Sequence, residues 1–287
     1  MKVKIYKTVQ GFLDENQELL LENEAVTQLI FSNCLINKEK EVNKELLFGR
    51  VQDEEGYIKL IFANVNPYNL IIYNLVKDTL VAVKTLVDYL IKEGIALKGI
   101  NANKAVCDEF MENYKKKTGC AFTEHLAMDI MEISEVNKGI VLPKGYFRVA
   151  NLNDKYILAD WWIKFVKEAL CDDISYENIK DILDLRIENK NFYLFEDENH
   201  KPMAMAAVTR QLVNGVALSL VYSSKEARGK GYGLAVVYNL SKEYLGRGNK
   251  FCSLFVDKKN PISNGIYSKI GYKILEENYD YRINEES

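Results

Sequence analysis

The chain has 287 residues, of which 48% are apolar and 11% aromatic, and it carries a formal net charge of −3 at pH 7. This length predicts one large domain or two medium ones, and the apolar content is ample for packed cores. A charge so close to neutral argues against broad binding of nucleic acids or acidic membranes.

In the first part of the chain, the residue pattern predicts both strands and helices. Alternation and β-branched or aromatic content predict strands at 2–7 and 57–65. Apolar residues at three- and four-residue spacing predict helices over 12–35 and 78–94.

The second part begins at a polar, linker-like stretch, 134–145, which holds Pro143. We place the boundary between two domains there, 1–138 and 139–287. Beyond it the patterns predict strands at 145–150, 191–197, 202–211, 215–223 and 250–257, helices at 153–170, 176–189, 233–246 and 261–270, and a final strand pair.

Cysteines and apolar runs bear on the cellular compartment. The five cysteines are scattered, odd in number and without CxxC spacing (Cys34, Cys107, Cys120, Cys171 and Cys252). They indicate reduced thiols and neither a disulfide framework nor a metal site. No apolar run approaches the ~20 residues that span a bilayer, and residues 1–20 lack the apolar core of a secretion signal. We expect a cytoplasmic protein that holds no metal and enters no membrane.

The two parts look like distant copies of each other. Residues 95–122 and 251–274 share one order of strand, loop, helix, glycine and strand. The second part alone carries a glycine cluster, at Gly229, Gly231 and Gly233, and no glycine stands at the corresponding place in the first part. We therefore expect the chemistry to belong to the second half.

The glycine-rich stretch EARGKGYGLAVVYN (226–239) leads into an amphipathic helix and admits several interpretations. It lacks the Lys-Ser/Thr pair of a P-loop. Its third glycine is misplaced for a dinucleotide fingerprint, although Asp257 is placed to mimic the acid that binds ribose. A glycine-rich turn with a solvated basic pair is a further alternative. The last is an RxxGxG loop from Arg228 to Gly233, in which glycine backbone and a helix N-terminus hold a pyrophosphate.

A second motif separates these interpretations. The loop RGKGYG (228–233) is followed, after a helix and a strand, by NPISNGIYSKIGY (260–272). In this order the two motifs resemble those of the GNAT acyltransferase superfamily over 195–283, and residues 1–133 resemble a degenerate copy. The resemblance implies an α/β fold of two tandem GNAT-like units, with a mixed sheet flanked by helices on both faces.

The resemblance also implies where an acyl-CoA would bind. In such enzymes two central strands splay apart and the pantetheine inserts between them, so the backbone of Val221, Tyr222 and Ser223 would bond it and polarise the thioester. The pyrophosphate would be held by Arg228, Gly229, Lys230, Gly231, Tyr232 and Gly233. Asn260 and Asn264 would contact the cofactor from beyond the next strand, unless Asn264 only stitches its helix.

Tyr267 matches the tyrosine that protonates the departing CoA thiolate. A phenol, with a pKa near 10, suits this role beside a thiolate of pKa roughly 8.5. In the first half, the position four before Gly119 is Lys115. Its neighbour Tyr114 is turned by roughly 100° on a helix. That half is therefore expected neither to bind CoA nor to catalyse.

The general base is not evident from the sequence. The strand 215–223 carries no carboxylate or histidine, and the two histidines of the chain lie elsewhere, at His125 and His200. Glu196, Asp257 and Glu226 are candidates that would act through water. A buried amine that enters neutral would need no strong base, because burial disfavours its charged form.

These residues predict an N-acetyltransferase that moves the acetyl group of acetyl-CoA to a primary amine of a small molecule or peptide. One alternative is a non-catalytic acyl-CoA sensor or assembly module, and another is a transferase of a longer acyl group. The sequence does not identify the acceptor, and it leaves homodimer formation open.

Overall fold

The computed structural model describes residues 1–284, which form two compact units. Unit 1 comprises residues 1–128 together with 276–284, and unit 2 comprises residues 129–275. The C-terminal strand therefore belongs to the first unit, although it follows the second in the chain. The predicted boundary at 138/139 lies ten residues beyond the junction between the units. The prediction did not include the assignment of the C-terminal residues to unit 1.

Unit 1 contains six strands and four helices, and its last strand comes from the C-terminus. The elements are β1 (Lys2–Ile5), α1 (Val9–Glu22), α2 (Glu24–Ile36), β2 (Leu46–Gln52), β3 (Ile58–Val65), β4 (Leu70–Asn74), α3 (Leu80–Lys92), β5 (Gly99–Ala102), α4 (Lys104–Thr118) and β12 (Lys273–Ile283). Their strand order is β1-β2-β3-β4-β5-β12. All neighbours pair antiparallel except β4 and β5, which are parallel.

Unit 2 begins within the long strand β6 (Phe122–Ile133). The further elements are β7 (Tyr146–Val149), α5 (Lys155–Ala169), α6 (Tyr176–Glu188), β8 (Phe192–Glu196), β9 (Pro202–Gln211), β10 (Gly215–Ser223), α7 (Tyr232–Gly246), β11 (Phe251–Asp257) and α8 (Pro261–Ile270). The strand order is β6-β11-β10-β9-β8-β7. The β10–β11 pair is parallel, and β7 to β10 pair antiparallel.

The two halves of the chain repeat one element order. Each runs strand, two helices, three antiparallel strands, helix, parallel strand, helix and long strand, from β1 to β6 and from β7 to β12. The predicted duplication and the predicted mixed α/β fold are confirmed. Each predicted strand of the second half is present, but the predicted final strand pair is wrong, because one strand, β12, runs through it.

Local sequence explains where several helices start and stop. The side chain of Thr8 accepts a hydrogen bond from the Gly11 amide at the start of α1. At the start of α4, the side chain of Asn103 accepts one from the Val106 amide. The helix predicted over 12–35 is interrupted at Asn23, so it forms two helices. Gly119 ends α4 with a φ of 79°, a left-handed conformation that glycine adopts easily.

In unit 2, apolar side chains cover both faces of the sheet. One core lies under α7 and α8 and includes Leu234, Leu254 and Tyr267. The other lies under α5 and α6 and includes Leu158, Leu183 and Tyr222. Strands β10 and β11 are therefore enclosed from both sides, as parallel strands require.

A buried amide pair holds the C-terminal strand in unit 1. Asn101 of β5 and Asn278 of β12 exchange two hydrogen bonds of 3.0 and 2.9 Å, and both side chains are at most 8% exposed. Asn69 adds a bond of 2.9 Å to Asp280 of the same strand. Because buried amides need partners, this cluster fixes the register of β12 against β5.

We expect Asn278→Ala to destabilise the protein by about 1–3 kcal/mol, since it removes the donor to the buried Asn101 side-chain oxygen and leaves the Asn101 nitrogen with its longer bond of 3.3 Å to Asp280. The double variant Asn101→Ala/Asn278→Ala should lose less than the sum of the single variants. Urea denaturation measures both. Asn199→Ala, at an exposed turn, is the control. Strict additivity would mean that the two amides do not depend on each other.

Candidate active site

Strands β10 and β11 diverge in the middle of unit 2. They pair from Gly215 opposite Phe251 to Leu218 opposite Leu254, and the pairing ends there although both strands continue. On the other edge of β10, the register to β9 skips from Ser219 to Tyr222, and Leu220 within this bulge has a φ of 54°. Beyond Leu218, the backbone of β10 therefore presents its edge to an open cleft and not to a neighbouring strand.

Directly after β10, the glycine loop leads into helix α7. Gly229 and Gly231 have φ values of 78° and 84°, and Gly231 is the N-cap residue of the helix. No side chain caps this end, and the first turn holds no acidic residue. The first amides of α7 are therefore available to an anion, and the helix dipole favours one there.

The glycines of this loop serve different purposes. A Cβ on Gly233 would lie 2.9 Å from the Ser223 hydroxyl, so the missing side chain lets the start of α7 approach the end of β10. A Cβ on Gly229 would meet nothing within 4 Å, which leaves open space in front of the loop. Pro143, from the predicted linker, lies 3.5 Å from the Cβ position of Gly231. The diverging strand and the uncapped helix thus form one continuous surface.

Arg228 is held by helix α5 and not by the loop. Its guanidinium forms an ion pair with Glu168 at 2.6 Å and lies over the Tyr222 ring, 5.4 Å from its centroid. The hydrogen bond to Glu168 raises the pKa of Arg228. Lys230 is exposed, as is Arg228. Sequence reasoning missed Glu168, since no signal along the chain connects it to a residue sixty positions away.

Asn260 and Asn264 organise the start of α8. The Asn260 side chain accepts a bond of 3.0 Å from the Ser263 amide, and Pro261 occupies the first turn. The Asn264 side-chain amide donates to the carbonyl oxygens of Asp257 and Asn260 at 2.9 and 2.8 Å. The helix-stitching interpretation of Asn264 describes these contacts. Their effect is to fix α8 against the end of β11, beside the cleft.

Tyr267 lies on α8 with its side chain 6% exposed, in the core shared by α7 and α8. Its ring centroid is 5.9 Å from that of Tyr272. Burial raises the pKa of Tyr267 above its ordinary value, because the phenolate would lose its hydration. Tyr272 shares a hydrogen bond of 2.7 Å with Ser241 and is a core residue. Tyr267 is thus a neutral phenol throughout the physiological pH range.

The candidate bases have other partners. Glu196 is 5% exposed and forms an ion pair of 2.6 Å with Arg148. Glu226 forms one of 2.7 Å with Lys201. Asp257 accepts a bond of 2.8 Å from the amide of Lys259, within its own turn. These contacts favour a structural role for each carboxylate.

Unit 1 has no comparable site. Helix α3 begins at Leu80 and Val81, which are exposed and apolar, where unit 2 has glycines. At its start the Thr79 hydroxyl donates to the Glu109 carboxylate at 2.6 Å, so an acidic group already stands beside the helix end. Lys115 is exposed, and Tyr114 is buried and stacks on Phe110 at 5.6 Å between centroids. The arrangement agrees with the expected loss of function in the first copy.

Comparison with known proteins identifies a matching family model and several similar solved structures. Residues 196–281 match the model of the family described as FR47-like protein. An acetyltransferase of the GNAT family from Colwellia psychrerythraea superposes with a TM-score of 0.57 and 10% identity, with 100% of each chain covered. The chain has a GNAT fold. A GCN5-related N-acetyltransferase from Sphaerobacter thermophilus superposes with a TM-score of 0.61 and 12% sequence identity. The superposition covers 90% of this chain and 85% of the Sphaerobacter chain.

A Drosophila protein has a similar structure over the whole length, with a TM-score of 0.64, 12% identity and 99% of each chain covered. These matches confirm that the resemblance seen in the sequence is a likeness of fold. A comparison with curated protein sequences gives no match.

No helix in residues 1–284 is long and apolar enough to cross a membrane. Within the same range, no three or more His, Cys, Asp or Glu side chains are grouped so that they could hold a metal ion.

The raised pKa of Tyr267 predicts a particular loss of stability at alkaline pH. At pH values below about 10, the pKa of a tyrosine in the unfolded chain, the neutral buried phenol contributes fully to the free energy of unfolding. This contribution is lost as pH rises further, because only the unfolded chain can then ionise this phenol. Between pH 10 and 11, the free energy of unfolding of wild type should therefore fall by about 1 kcal/mol more than that of Tyr267→Phe. Denaturant unfolding at each pH measures this, with Tyr156→Phe at an exposed site as control. Parallel curves for wild type and Tyr267→Phe would mean that the phenol is hydrated.

Proposed function

We propose that the protein is an acyl-CoA N-acyltransferase, with acetyl-CoA as donor and a primary amine of a small molecule or peptide as acceptor. The observation that carries the proposal is the cleft between β10 and β11, which ends at the uncapped start of α7. An extended, amide-containing chain with a pyrophosphate at its end fits both parts of this surface. The GNAT fold agrees with the same chemistry.

In this proposal the CoA binds along β10. The pyrophosphate accepts hydrogen bonds from the loop 228–233, where backbone amides and Lys230 supply positive charge. The pantetheine amides pair with the free edge of β10 at Val221, Tyr222 and Ser223. This arrangement brings the thioester to the point where β10 and β11 separate.

The reaction then needs one bond formed and one broken. The neutral amine attacks the thioester carbonyl carbon, whose oxygen gains charge and is stabilised by the β10 backbone amides. The C–S bond breaks and the sulfur leaves with the electron pair. Tyr267 donates its proton to this sulfur, and the proton lost by the nitrogen returns through water to the tyrosinate. The products are an amide and free CoA.

The raised pKa of Tyr267 has a consequence for this step. The phenol is fully protonated when the sulfur leaves, although it is a weaker acid than one in water. The buried thiolate is also destabilised by loss of hydration, which makes it a stronger base. Burial therefore raises the pKa of both the proton donor, Tyr267, and the proton acceptor, the CoA sulfur. The difference between the two pKa values stays small, so proton transfer remains favourable.

CoA should bind to unit 2 alone, with one molecule per chain by titration calorimetry. Gly231→Asp should abolish binding, because it adds a carboxylate at the anion site and a side chain at a φ of 84°. Gly248→Asp, at an exposed turn with a φ of 97°, is the matched control for strain and charge. Two CoA per chain, or unchanged binding by folded Gly231→Asp, would contradict the assignment.

Tyr267→Phe should lower kcat by about 10²–10⁴ and leave the KM for acetyl-CoA nearly unchanged, since it removes a general acid. Steady-state thiol release between pH 6 and 9, with an acceptor found in an amine-library screen, measures this. Tyr272→Phe is the control, because it loses a hydroxyl in the same core. A kcat within threefold of wild type would leave water as the proton donor.

The same assays separate the alternatives. CoA binding without thiol release for any amine would indicate a sensor or assembly module. Faster turnover with longer acyl-CoA donors than with acetyl-CoA would indicate that the protein transfers a longer acyl group.

A further inference from the structure

Glu168 connects helix α5 to the end of β10 and to the glycine loop. Its two carboxylate oxygens have different partners: Oε2 accepts from Arg228 Nη2 at 2.6 Å, and Oε1 accepts from the Tyr222 hydroxyl at 3.4 Å. Burial and the Glu168 carboxylate raise the pKa of Tyr222, so this hydroxyl stays a neutral donor. One acidic side chain of α5 thus contacts two residues at the corner between the strand and the loop.

The position of Glu168 is unfavourable for the helix that carries it. Helix α5 ends at Ala169, so Glu168 lies in its last turn, where a carboxylate meets the negative end of the helix dipole. The ion pair with Arg228 is not buried either, since the two side chains are 42% and 47% exposed. An exposed pair contributes little to the stability of a fold. Stability alone therefore does not explain this residue.

Three contacts fix the side chain of Arg228, the first residue of the loop. Besides the ion pair, its Nε donates to the Ser223 carbonyl oxygen at 3.4 Å, and its guanidinium lies over the Tyr222 ring, 5.4 Å from the centroid. Its remaining nitrogen, Nη1, makes no hydrogen bond within residues 1–284. The arginine is thus held in place with one nitrogen available, next to the uncapped start of α7.

We propose that Glu168 is a positioning residue for CoA, which holds Arg228 so that Nη1 can bind a phosphate oxygen of a CoA placed on the loop 228–233. The proposal rests on the acyltransferase function above. A long side chain loses rotamer freedom when it binds a ligand. Because Glu168 already orders Arg228 in the free protein, CoA binding does not incur that loss. The guanidinium has five N–H donors, so it can serve the carboxylate and a phosphate together.

The charge of Glu168 acts on CoA in the opposite direction. A carboxylate near an anion site repels phosphate, so removal of the charge alone should strengthen CoA binding. Glu168→Gln removes the charge and keeps an oxygen that can accept from Arg228. Glu168→Ala removes both the charge and the acceptor. The difference between the two variants therefore isolates the positioning of Arg228 from the effect of charge.

Titration calorimetry with CoA measures this difference. Glu168→Ala should bind CoA about 3- to 10-fold more weakly than Glu168→Gln, the change expected when one long side chain must be ordered on binding. S-acetylpantetheine carries no phosphate, so its affinity should be the same for both variants. A general disturbance of β10 through Tyr222 would instead weaken the binding of both ligands in Glu168→Ala.

Glu243→Ala is the matched control for these titrations. Glu243 forms an ion pair with Arg247, whose guanidinium lies over the Tyr244 ring, 4.6 Å from the centroid. The same substitution thus breaks the same kind of contact at the other end of α7. It should leave the affinity for CoA as in wild type.

A double-variant cycle tests whether Glu168 acts through Arg228. In an Arg228→Met background, Glu168→Ala and Glu168→Gln should bind CoA equally, because the nitrogen that Glu168 positions is gone. Equal CoA affinity of the two Glu168 variants when Arg228 is intact would overturn the proposal. The same difference between them with and without Arg228 would also overturn it. In both cases CoA binding, and with it the acyltransferase function, would stand. Absence of CoA binding by the wild-type chain would instead reject that function and this proposal with it.

Discussion

The divergence of β10 from β11 is the constraint on which the site depends. A backbone edge that loses its neighbouring strand inside a covered sheet leaves amide and carbonyl groups that must find other partners. After Leu218 and Leu254 the two strands continue without pairing, and the bulge at Leu220 turns β10 further. The edge of β10 beyond Leu218 is therefore not paired with β11, and the start of α7 that follows has no side-chain cap, an arrangement that favours negative charge there.

Unit 2, which contains these strands, is not made from the second half of the chain alone. Residues 129–133 of β6 belong to unit 2, where β6 is the neighbour of β11, and Asp129 forms an ion pair of 2.9 Å with Lys258. In return, β12 belongs largely to unit 1 and is held there by Asn101 and Asn278. A fragment that starts at the predicted boundary would lack a strand of its own unit and carry one without its partner. Each half of the chain therefore supplies a strand segment to the unit formed mainly by the other half.

Much of the fold and the binding loop was predictable, because their signals are local. Period-two and period-3.6 patterns locate the strands 202–211 and 215–223 and the helix 261–270, and glycines mark the positive φ values at 229 and 231. The strands β2 and β4 were missed, and the pairing of β12 with β5 joins residues about 180 positions apart, which no local pattern reports. The ion pair of Arg228 with Glu168 was missed for the same reason, because its partners are sixty positions apart in the chain. Nor can a sequence show that the Nη1 nitrogen of Arg186 is buried without an acceptor among the described residues.

Two arginines of unit 2 differ in how their charges are accommodated. Arg148 of β7 is satisfied by Asp154 and Glu196 at 2.7 and 2.6 Å, and this pairing raises its pKa. The pKa of Arg186 has the opposite shift, because burial lowers it, and its Nη1 nitrogen makes no hydrogen bond within the described residues. A charge that is buried and paired contributes to specificity of folding, whereas a buried guanidinium nitrogen without an acceptor lowers stability.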